Sequence, residues 1–148
     1  MAANNDPIFS RTPDVQLGGS ILGPTAVTAN DGTGLLVSIF QADATEGGYV
    51  DEVLLKPVNS PAATVARVFL CSVVGAFTSN TSNTAATANL IREFSCPAFT
   101  LSQTNAQAEL GIPVRKYIPA GWRILIGFGT STGAAGTGYA VTTFGGKL

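Results

Sequence analysis

The sequence predicts an all-β protein: a β-sandwich or barrel over residues 34–148, preceded by an extended amino-terminal arm over residues 1–33. Three observations carry that reading. Apolar runs recur at intervals of roughly ten to twenty residues, and they are short, β-branched and aromatic. Gly, Pro and Asn punctuate them, as turns require. Good helix formers gather only in Ser102–Leu110, where Gly111 and Pro113 would stop a helix within a few turns, so one short helix or none is expected.

The arm is rich in Asn, Asp, Pro, Thr and Gly, and its apolar residues Ile8, Phe9, Val15, Leu17, Ile21 and Leu22 are too sparse for a core of their own. It is expected to lie across a neighbouring subunit or another surface, anchored by Ile8 and Phe9, rather than to fold back into its own sandwich. The turn signal Asn30-Asp31-Gly32 ends it. The predicted strands follow as "LLVSIF" from Leu35, "YVDEVLLKPV" from Tyr49, "TVARVFLCSVV" from Thr64, "LIREFSCPAFTL" from Leu90, "VRKYI" from Val114, "WRILIGF" from Trp122 and "YAVTTF" from Tyr139. Strand alternation assigns Leu35, Val37, Ile39, Val53, Leu55, Val68, Leu70, Ile124, Ile126 and Val141 to the core. The long uncharged segment Ala76–Asn89 is expected to be an exposed loop.

The strand from Thr64 to Val74 breaks the usual alternation. Ala66, Val68, Leu70 and Val74 lie on one side and Phe69, Cys71 and Val73 on the other, with Arg67 the exception. An antiparallel strand with one wet face should alternate apolar and polar. Either this strand is central with both faces covered, or a neighbouring subunit covers the Phe69 face.

Composition narrows the function. A chain of 148 residues suits one domain that buries roughly two-thirds of its unfolded surface without a staple. Charged residues make up 11%, against roughly 25% in ordinary soluble domains. A net charge of -1 with no basic cluster argues against nucleic acid. No apolar run approaches the roughly 20 residues that span a bilayer, and "MAANNDPIFS" has neither the basic nor the apolar region of a secretion signal, so synthesis in a cytoplasm is expected. Cys71 and Cys96 lie in apolar segments without metal-ligand spacing and read as buried free thiols.

Motifs for chemistry are weak. In "GWRILIGFGTSTGAAGTG" the glycines 127, 129 and 133 approach a dinucleotide fingerprint, but that motif needs a helix to follow, and Gly136, Gly138, Tyr139 and Val141 disfavour one. The glycines read instead as a strand end, a turn through Thr130–Gly138 and an antiparallel return. Asp43, Glu46, Asp51 and Glu52 cluster without calcium-loop spacing, and strict alternation sends Asp51 and Glu52 to opposite faces. The chain has no histidine, which removes the commonest general base, and nothing brings Glu93 to face Glu109 as a glycosidase pair would need. No cofactor, metal or catalytic residue is expected.

The carboxyl-terminal third, "VRKYIPAGWRILIGFGTSTGAAGTGYAVTTFGGKL", together with "GGYVDEVLLKPV" from Gly47, resembles the small β-sandwich proteins of tailed bacteriophages that decorate or cement the head. The resemblance implies a jelly-roll-like antiparallel sandwich, assembly as a trimer or dimer on the capsid exterior, the major capsid protein as partner, and no chemistry. The residues expected to contact partners are Ile8, Phe9, Val15, Leu17 and Phe69. Other virion appendages, a head fibre or a tail-associated module, fit the same features. A carbohydrate-binding sandwich would use exposed aromatics, with Trp122, Tyr117 and Tyr139 as candidates; Trp122, in step with Ile124 and Ile126, also reads as core.

Overall fold

Two four-stranded antiparallel sheets face each other across one apolar core. The computed structural model describes residues 12–18, 21–73 and 87–148. Its strands are β1 (Thr12–Leu17), β2 (Val37–Gln41), β3 (Gly48–Val58), β4 (Thr64–Cys71), β5 (Ala88–Cys96), β6 (Leu110–Ile118), β7 (Arg123–Phe128) and β8 (Gly138–Lys147), and the described residues contain no helix. One sheet runs β1-β8-β3-β6 and the other β2-β7-β4-β5. Every connection except β4–β5 therefore crosses between sheets, which is the strand order of a jelly roll.

Each predicted run after the arm supplies one strand. The joins differ from a chain of hairpins. The tight turn at Pro119–Gly121 and the glycine turn at 130–137 both carry the chain to the opposite sheet, so β8 pairs with β1 and β3, not with β7. Gly133 and Gly136 have φ of 138° and 85°, values that suit glycine in such a turn.

The inner core matches the alternation at Ile39, Val53, Leu55, Val68, Ile124, Ile126 and Val141, all buried, with Val37 and Leu70 packed at its margin. Leu35 is a correction: it lies before β2, which begins only at Val37, and stays exposed at the rim of the sheet, while Leu36 is buried on the opposite, outer side. Further along, a register shift between Ser38 and Phe40 turns both Ile39 and Phe40 inward. A second shift, between Val50 and Glu52, buries Val50 and Val53 and leaves Asp51 and Glu52 both outside, where strict alternation had separated them.

Both faces of β4 are covered by the chain itself. Ala66 and Val68 face the inner core, while Phe69 and Cys71 join Val27, Leu36, Ala88 and Leu125 in a second cluster on the outside of the same sheet. The segment around Val27 and Leu36 forms this cover. Gly127 permits it, because a Cβ there would stand 2.7 Å from Leu36 Cδ2 and 3.2 Å from Val27. Arg67, the polar exception on that face, fastens the cover: its Nη1 donates to the Val27 carbonyl at 2.8 Å and to the Thr28 carbonyl at 3.2 Å, and its Nε to Glu93 Oε1 at 2.9 Å. Thus the first glycine of Gly127-Phe128-Gly129 serves close packing and not a phosphate.

The arm expectation is corrected from Thr12 onward. Residues 12–17 do not leave the sandwich; they pair antiparallel with β8 as an edge strand, and Leu22 bridges Tyr139 a few residues later. Ile8 and Phe9 lie outside the described residues, as do residues 76–86 of the long loop.

Candidate interaction surface

β1 alternates in the sense opposite to an ordinary sandwich strand. Val15 and Leu17 point to solvent, 55% and 72% exposed, whereas Asp14 and Gln16 turn toward the second sheet and are half-buried. An isolated antiparallel sandwich does the reverse, with apolar residues in and polar residues out.

The inward polar residues have a defined task. Gln16 Nε2 donates to the Gln41 carbonyl at 3.0 Å and to Asp14 Oδ2 at 2.7 Å, and the Gln41 N–H donates to Gln16 Oε1 at 2.8 Å. Gln41 ends β2, an edge of the other sheet. One carboxamide thus makes with β2 the pair of bonds that a neighbouring strand would make, and it joins the two edges of the sandwich.

The outward residues of β1 continue across the sheet in rows. Val15 stands beside Phe144, then Glu52 and Pro113; Leu17 stands beside Thr142, then Leu54 and Gly111. Pro13 begins a third row, Gly146, Tyr49 and Tyr117, and Ala140 pairs with Lys56 at the opposite end. Phe144 is 38% exposed and Tyr117 52%. The β1–β8 half of this face is apolar, and the β3–β6 half carries charge, including Asp51 opposite Arg115 at 3.8 Å.

Of the residues expected to meet partners, Val15 and Leu17 lie together on this face. Phe69 does not: it is fully buried under Val27 and Leu36, because the chain supplies its own cover there. Phe144 and Leu54 were missed, although "YAVTTF" carries the signal, since Phe144 shares a face with Ala140 and Thr142 and opposes the buried Tyr139 and Val141.

The aromatic candidates separate. Tyr139 is fully buried, stacked on Phe128 with ring centroids 5.4 Å apart, and burial pushes its phenol up. Trp122 packs against the inner core. Only Tyr117 of the three is exposed, beside Tyr49. Burial also raises the Cys96 thiol, and Cys71 is buried in the outer cluster.

The acidic cluster is dispersed into structural roles, and among the described residues no three metal-ligating side chains converge. Asp43 Oδ1 accepts the N–H groups of Thr45 at 2.8 Å and Glu46 at 3.1 Å, and its Oδ2 meets Lys147 Nζ at 3.2 Å. Those backbone donors, and then Lys147, hold its carboxyl below the ordinary 3.8. A depressed acid stabilises the fold above its unfolded pKa and loses that contribution as the pH falls through the native value. We expect the stability gap between the parent and Asp43→Asn to be constant from pH 7 to about 5 and to close below about pH 4; urea titrations across that range check it. Glu93, on β5, is engaged by Arg67 of β4, and Glu109 lies exposed just before β6 in the other sheet.

An apolar cavity of about 230 Å³ lies between the 21–25 segment and the β2–β7 sheet, lined among others by Leu22, Leu35, Val37 and Phe128. It carries no charged side chain to orient a ligand. The outer face of the β1-β8-β3-β6 sheet is therefore the principal candidate site. The chain matches no known family model, and no curated protein or solved structure is significantly similar to it.

Proposed function

We propose that this chain is a non-catalytic structural protein of a virion, a homo-oligomeric decoration subunit that binds the outside of a phage head through the major capsid protein and stabilises the shell. The observation that carries the assembly reading is the inverted β1, which spends exposed surface on Val15 and Leu17 and places them against Phe144. Apolar rows of that kind at a sheet edge invite aggregation unless another surface covers them. The jelly-roll order agrees with the phage resemblance of the carboxyl-terminal third. A decoration subunit needs no chemistry: preferential binding to the assembled shell stabilises it by mass action.

Co-sedimentation tests the reading. The purified protein is expected to pellet with undecorated heads and to raise their melting temperature; heads that neither bind it nor gain stability would remove the capsid role. The adjacent Tyr49 and Tyr117 support the second reading, a carbohydrate-binding sandwich. A glycan array that retains the parent but not Tyr117→Ala would favour that class instead.

A further inference from the structure

We propose that the outer face of the β1-β8-β3-β6 sheet packs on the same face of a second copy, about a twofold axis along the row Leu17–Thr142–Leu54; the proposal rests on the reading of this chain as an assembly subunit. Such an axis lies in the interface and perpendicular to the strands. It sets each row on one side of the axis over the row on the other side in the partner.

The residues complement each other under that operation. The row two residues along β8 and β3 in one direction carries Phe144 and Glu52, and the row two residues in the other direction carries Ala140 and Lys56. Phe144 then meets the partner's Ala140, large against small, and Glu52 meets the partner's Lys56, anion against cation. Leu17 and Leu54 lie on the axis and meet their own counterparts. The sheet is self-complementary in size and in charge about one line. Four strands about 4.8 Å apart and about eight residues long at about 3.4 Å present a face of about 500 Å² before side-chain relief is counted. That is the scale of a standard interface, about 800 Å² of accessible surface per partner.

The twofold selects a dimer over the trimer favoured by the phage resemblance. Charge swapping tests it by sedimentation equilibrium on the full chain. The parent is expected to be a dimer. Glu52→Lys alone sets cation against cation and Lys56→Glu alone sets anion against anion, and each is expected to raise the dimer dissociation constant about tenfold or more. The double variant Glu52→Lys/Lys56→Glu restores opposite charges and is expected to return within about threefold of the parent. Lys56 also donates to the Gln107 carbonyl at 3.0 Å, so Lys56→Ala is included; it removes that bond without adding an anion and is expected to weaken the dimer less than Lys56→Glu.

A parent that is monomeric or trimeric overturns the proposal, as does a double variant no better than the singles. A parent that dimerises only after removal of residues 2–11 also overturns it, since the chain's own segment would then be the occupant. A dimer that ignores heads supports the twofold contact and overturns only the capsid reading, whereas a monomer that decorates heads does the reverse.

Discussion

Phe69→Ala is expected to destabilise the isolated subunit by about 3 to 5 kcal/mol, and Leu36→Ala by about 2 to 5 kcal/mol. The two side chains are fully buried and belong to one cluster, with Val27 and Leu125, on the outer side of β4. Truncating either leaves a cavity between the cover and the sheet, and the cover is held at its edge by Arg67, so it cannot slide in freely. Collapse onto the gap would recover part of the loss, which is why the range is wide. The two effects should couple, because the residues share one cavity. Urea unfolding of the singles and the double decides the matter. If Phe69→Ala unfolded like the parent but weakened association, Phe69 would be a partner contact and the cover would not be packed in solution.

The seven runs from Leu35 onward were legible because each is short, rich in β-branched or aromatic residues and bounded by turn residues. Sheet membership was not legible. The turns at Pro119–Gly121 and 130–137 carry the signals of a hairpin, yet they cross the core, and nothing local distinguishes a return to the same sheet from a return to the opposite one. The shifts at Ser38/Phe40 and Val50/Glu52 each add one residue, which turned Phe40 inward beside Ile39 and put Asp51 beside Glu52. The cover was hidden for a different reason. Val27 lies in a stretch whose Asn, Asp, Gly and Pro read as an arm, Leu36 lies in a run read only for its inward side, and only the unexplained second apolar face of β4 hinted that something must lie on it.

The interaction face was half legible. Val15 and Leu17 stood out as apolar residues in a polar arm, but their partner Phe144 was absorbed into a strand read only for its buried side. β1 itself was obscured because Pro13 and Asp14 argue against a strand, although Pro is tolerated on an edge. The inverted alternation makes sense only when Gln16 is seen bonding Gln41 across the sandwich, a tertiary contact that no periodicity encodes.

Removal of residues 2–18 is expected to cost about 2 to 4 kcal/mol of folding stability relative to a chain lacking residues 2–11, at about 1 kcal/mol for each lost bond. The bonds are the two between Gln16 and the Gln41 backbone and that from the Gly18 N–H to the Val141 carbonyl at 2.9 Å, together with part of the β1–β8 ladder. In a protein of this size that corresponds to a fall of about 2 to 4 °C in melting temperature per kcal/mol. An arm laid wholly on another molecule would behave differently: its loss would leave the isolated subunit's melt unchanged and weaken only the assembly. The same deletion removes Val15 and Leu17 from the outer face, so association is expected to weaken about tenfold or more as well. The two effects can be separated with Val15→Ser/Leu17→Ser, which retains the strand backbone and Gln16; it should hold the melt within about 1 kcal/mol of the parent while losing association. If the long deletion melted like the short one, β1 would not be part of the sandwich. If the serine pair associated as the parent does, the inverted alternation would serve something other than assembly.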